Sequence, residues 1–254
     1  MAGPRFFEIA ASGHPLVLRW QTDRKPLPVR VIQPPRAGPA PAPSVGQPWH
    51  DTGPAGQPLN FSWHVQRLLQ DVCARTPEFA RIEAPRILVT ATQARGGRRH
   101  GLQARVTPLR FQHGQIVRQR RGVTYQVQRY FLDKHEFLYV MTFCLPRFLD
   151  QNFDDKLVTL FHELQHIDPE FTGDLRRHAG RCQFHSTSRR RFDRHMAELA
   201  RAYLQTKPDQ RLHAFLRLNF AQLRARHGAV TAIMVPRPKL IPIAVMQTAA
   251  ARCE

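Results

Sequence analysis

The sequence predicts an α+β fold in which a small mixed sheet packs against a helix beginning near Asn152 and against further helices after it. Three features carry that prediction. The stretch "FLYVMTFCL", residues 137–145, is apolar on both faces, as a central strand must be. Residues 60–76, 152–167 and two later segments repeat their apolar side chains at helical spacing. At 42% hydrophobic and 22% charged over 254 residues, the composition is that of a chain able to bury a sizeable core.

Residues 1–32 contain short apolar pieces such as "PLVLRW" and read as a strand or an amino-terminal arm. Residues 33–58 hold many of the 21 prolines and almost no aliphatic side chains, which marks an extended linker. Order resumes at Asn60 or Ser62, either able to cap a helix carrying Phe61, Val65, Leu68, Leu69 and Val72, which stops near Thr76-Pro77; Trp63 is expected to pack. "PRILVTATQA", residues 85–94, reads as a strand, and the basic "RGGRRHG" after it as a loop. "VTYQVQRYF", residues 123–131, alternates as a half-exposed strand does, and a turn at Asp133–Glu136 should pair it as a hairpin with 137–145.

After Pro146 the next helix starts at Asn152, with Asp155 three positions on in the manner of a capping box. Phe153, Leu157, Leu160, Phe161 and Leu164 form its buried stripe, and Pro169 stops it near Ile167 or Asp168. Phe192, Met196, Leu199, Ala200 and Tyr203 outline a further helix, and Leu212, Phe215, Leu216, Phe220 and Leu223 a third. Three prolines confine the tail from Val230 to edge strands. The domain therefore spans 59–228, with 229–254 as an extension.

Arg and Lys outnumber acids to give a net charge of +19, which favours polyanionic partners, nucleic acid among them. The four cysteines form no C-x-x-C pair and no disulfide framework. No segment approaches a membrane span, so the expectation is a soluble cytoplasmic protein.

The chemistry concentrates in "LFHELQHIDPEFTGDLRRH", residues 160–178. His162 and His166 are four apart on one helix and project from the same face, the geometry by which H-E-x-x-H grips zinc. Glu163 lies about 100° round the helix, placed to act as general base on water. A catalytic zinc needs a third protein ligand. Gly173 lets the chain reverse and bring back His178; His185, Glu198 and, less directly, Asp174 are the other candidates. Asp174 can instead orient a ligand histidine through its second ring nitrogen. Arg177, His185 and Tyr203 are near enough in sequence to be candidates for steadying an oxyanion.

The block resembles a family of phage-type metallopeptidases, small zincin-like proteins. The resemblance rests on H-E-L-x-H-I, a proline, a glycine and L-R-x-H, matched by His162, Glu163, Leu164, His166, Ile167, Pro169, Gly173, Leu175, Arg176 and His178. It implies a zincin-like fold, a Zn²⁺ cofactor, hydrolysis of peptide bonds in protein substrates, and His178 as third ligand. In plan the chain is also similar to SprT-like proteases, which clip proteins crosslinked to DNA. That similarity implies a nucleic-acid partner for the arginine-rich run 176–195, "RGGRRHG" and "RQRRG". The alternative is a basic nucleic-acid-associated protein whose metal holds the fold without catalysis.

Overall fold

A computed structural model describes residues 16–34, 52–94, 101–177 and 189–245. His178, Cys182 and His185, with most of the "RGGRRHG" loop, lie outside the described residues. The fold is mixed α+β, with five α-helices and four three-stranded sheets among the described residues.

The central sheet joins β4 (Ile87–Gln93), β10 (Tyr139–Leu145) and β5 (Ala104–Pro108), in that order. β10 runs parallel to β4, with Met141 opposite Val89, and antiparallel to β5, with Met141 opposite Val106. Both faces of β10 are covered. Period-two alternation sends Val89, Ala91, Met141 and Phe143 into the main core and Leu88 and Val140 into a smaller one with Trp20, Leu109, Tyr130 and Phe137. That explains why 137–145 is apolar on both faces.

Helix α1 (Phe61–Arg75) covers the main-core face, and its five predicted apolar positions are all fully buried. Asn60 caps it by accepting from the Trp63 N–H, and it ends at Thr76. Trp63 departs from expectation: it is 51% exposed, with the Arg67 guanidinium 4.7 Å above its ring. Helix α2 (Phe153–Gln165) packs Leu157, Leu160, Phe161 and Leu164 into the same core. Its cap is Asn152, which accepts from the Asp155 N–H at 2.8 Å; the return bond joins the two side chains at 2.7 Å. Helix α3 (Arg189–Gln205) buries Phe192, Met196, Ala200 and Tyr203 against α2.

The predicted pairing of 123–131 with 137–145 does not form. The chain changes sheet at buried Gln128. β7 (Val123–Val127) lies between β6 (Val117–Arg120) and β12 (Leu240–Val245), whereas β8 (Arg129–Leu132) lies between β1 (Val17–Trp20) and β9 (His135–Phe137). The hairpin at Asp133 thus joins β8 to the short β9, and β10 takes partners distant in sequence.

The third predicted helix is also divided. Residues 210–213 form α4, 214–217 a 3-10 turn, and α5 (Phe220–His227) begins afresh at Asn219, whose side chain and that of Gln222 cap each other's backbone. Buried Lys156 stabilises the break by donating to the carbonyls of Leu216 and Leu218, each at 2.8 Å.

The tail does more than border a sheet. β11 (Val230–Ile233) is central between β2 (Val29–Val31) and β3 (Leu59–Asn60), while β12 is an edge strand with its irregularity at Pro242. Thr52, at the end of the proline-rich stretch, is buried against His227 of α5, with its Oγ1 2.8 Å from Nε2. No helix among the described residues is long and apolar enough to cross a membrane.

Candidate functional site

α2 places His162 in its last turn, and His166 is its C-cap, still with right-handed helical backbone. The two rings meet edge to face, 4.8 Å between centroids and 78° between planes. Both are half-buried, and Phe192 of α3 supplies an aromatic wall, 4.9 Å from the His162 ring and 6.1 Å from the His166 ring. Next to it on α3, an Asp193 carboxylate oxygen stands 3.9 Å from His162 Nδ1. That is beyond hydrogen-bond length but close enough to bias the ring electrostatically.

Glu163 projects the other way round the helix and is 6% exposed. Its carboxylate lies under β5, the outer strand of the central sheet, and accepts from the Val106 N–H. Burial raises its pKa to about 7, the Val106 bond opposing the rise. A carboxyl group so tuned exchanges protons near neutrality, which is what a general base requires.

The segment after α2 folds back at once. Ile167 and Leu175 bridge antiparallel, and the Arg176 N–H donates to the His166 carbonyl at 2.8 Å. Gly173 makes the reversal with φ +93°, where a side chain would meet Arg110. Tyr139 of β10 holds it, its hydroxyl accepting from Gly173 N at 2.9 Å and donating to the Asp174 carbonyl at 2.8 Å.

His162, Glu163 and His166 are therefore brought together, and His178 and His185 lie outside the described residues. Among the described residues no third histidine, cysteine, aspartate or glutamate forms a metal-sized group with the pair. Glu198 is exposed on α3, and the Asp174 carboxylate is bonded by Arg177 at 3.2 Å. Tyr203 does not serve as an oxyanion donor: it is buried and donates to Asp71 at 2.7 Å. Two imidazoles one helical turn apart supply two of the three protein ligands that a catalytic zinc takes.

Sequence reasoning missed Phe192, Asp193 and Val106 as neighbours of the motif. Periodicity puts Phe192 on a buried stripe, and a residue adjoining that stripe can flank whatever the stripe covers. The Val106 contact had no local signal. Comparison with family models, curated proteins and solved structures finds no match to this chain.

Proposed function

We propose that the chain is a zinc-dependent metallopeptidase of zincin-like plan, hydrolysing peptide bonds in protein substrates. One observation carries the reading: two imidazoles meet edge to face at 4.8 Å at the end of one helix, with Glu163 lodged between that helix and an outer antiparallel strand. His162, His166 and His178 would hold the metal. The Arg176–His166 backbone bond supports His178, because it fixes the chain beside the pair only two residues earlier.

Zinc bound there would supply Lewis acidity towards water and the scissile carbonyl. Glu163 takes the proton from water and delivers it to the leaving amine. An extended substrate segment would lie along the outer side of β5, the edge strand among the described residues, with its carbonyl beside Glu163.

The test is metal analysis together with proteolysis of an unfolded protein substrate. His162→Ala, His166→Ala and His178→Ala should each lose zinc, while His185→Ala and Glu198→Ala keep it. Glu163→Gln should retain stoichiometric zinc and lose cleavage. Cleavage by Glu163→Gln at the wild-type rate would reject the base. Zinc retained by an inactive wild type would favour the non-catalytic, metal-stabilised binding protein.

A further inference from the structure

The sheet formed by β12, β7 and β6 carries a groove of about 390 Å³, lined by Phe111, Arg118, Arg120, Arg121, Tyr125 and Leu240. Register explains why they meet. Arg118 on the outer strand β6 stands opposite Tyr125, which stands opposite Pro242 on β12, and Arg120 lies two residues along β6 on the same side. Arg121 follows in the turn with φ +51°.

Density of positive charge marks the groove, since three of its six lining residues are arginines; single arginines without a carboxylate partner, such as Arg24 and Arg30, occur elsewhere among the described residues. Arg75, Arg81, Arg86, Arg110, Arg129, Arg177 and Arg211 each have a carboxylate partner. Among the described residues Arg118, Arg120 and Arg121 have none, and every residue of β6 is exposed. Holding three guanidiniums together without counter-charge costs free energy that an anionic ligand would return. The groove also contains a half-buried tyrosine, a half-buried phenylalanine and a leucine that is 57% exposed.

We propose that this groove binds single-stranded nucleic acid, its phosphates on Arg118, Arg120 and Arg121 and a base stacked on Tyr125. The combination selects that ligand. An acidic peptide would use the arginines but leave the rings idle, and a duplex offers phosphates while keeping its base faces stacked internally. A single strand presents both at each step, which is the chemistry of aromatic-and-arginine grooves. Phe111 lies beside Arg110, whose N–H donates to the Gly173 carbonyl, so the groove borders the loop after α2. The binding itself does not depend on the metal reading.

Fluorescence anisotropy of the full chain tests it, using labelled oligothymidylate and oligouridylate of about 12 nucleotides, within the site size of such grooves. The two arms separate DNA from RNA as the source of the strand. Tyr125→Leu should weaken binding about tenfold. The double variant R118Q/R120Q should reduce the slope of log affinity against log salt by about 1.4, from about 0.7 per phosphate contact. R24Q/K25Q removes the same charge from another exposed segment and should leave affinity and slope nearly unchanged. The proposal is overturned if this control loses as much as R118Q/R120Q, if Tyr125→Leu binds as the wild type, or if duplex DNA or polyglutamate competes as well as the single strand.

Discussion

The hydroxyl of Tyr139 accepts a hydrogen bond from the backbone N–H of Gly173 at 2.9 Å, tying the central strand to the reversal that follows the histidine-bearing helix. The same hydroxyl donates to the Asp174 carbonyl, so one buried oxygen fixes two consecutive residues of the return. Tyr139→Phe leaves that N–H and carbonyl unpaired in the interior. The expected loss is about 1–3 kcal/mol in urea denaturation. On the zinc reading, metal affinity should fall too, since the segment ahead of His178 is released.

Gly173→Ala should cost more. Its φ of +93° disfavours a side chain, and the new Cβ would lie 2.5 Å from Arg110 Cγ. Arg110 cannot readily give way, because it is buried and bonded to Glu136 at 2.6 Å. Strain and overpacking together predict a loss of about 3 kcal/mol or more by the same measurement.

Lys156 predicts an alkaline gain in stability. Burial lowers its pKa from 10.5 to about 8, with Asp150 pulling the other way. Between those values the unfolded chain holds the proton and the folded chain has released it, so stability rises with pH. Relative to Lys156→Met, the wild type should gain on the order of 3 kcal/mol from pH 8 to 10.5. Denaturation curves of both proteins across that range give the difference.

His64 predicts the acid limb. Burial, then the charges of His227 and Arg67, lower its pKa from 6.5 to about 4, and His227 is also lowered, chiefly by burial. The stability these neutral rings contribute is complete above pH 6.5 and is lost as pH falls towards 4. His64→Phe keeps a ring beside Phe215, 5.3 Å away in the native protein, and removes the titration. Its stability should fall less over that interval, by about 1–2 kcal/mol after allowing for partial exposure.

Asp193→Asn tests the carboxylate beside His162. On the zinc reading it biases the ring that holds the metal, and its loss should weaken zinc affinity about tenfold with little change in melting temperature. A chelator competition titration measures the first, and a thermal scan of the metal-free protein the second.

Local pattern was enough for α1 and α2 because each carries its stripe, cap and stop within its own residues. Asn60, one of the two candidate caps, and Asn152 each accept the backbone N–H three residues on, and the stripes they introduce enter the core. Pattern failed for 123–131, where even alternation hid a change of sheet at Gln128, and for 210–227, where unbroken apolar spacing hid a break stabilised by Lys156 from another helix. Neither Gln128 nor Lys156 signals its burial locally, since the Gln128 N–H and the Lys156 ammonium bond to carbonyls far along the chain.

The sequence by itself determined the facing pair His162 and His166, because four-residue spacing on a helix puts side chains on one face wherever that helix packs. It also determined the reversal at Gly173, since glycine is the residue between Pro169 and Leu175 best able to take positive φ, although Phe171 takes it as well. Only the tertiary structure decided what surrounds them: Val106 over Glu163, Phe192 and Asp193 beside His162, and Tyr139 under the return. Those neighbours are set by strand register and helix packing between segments tens of residues apart. Such contacts form only when the whole core closes, and no local periodicity encodes them.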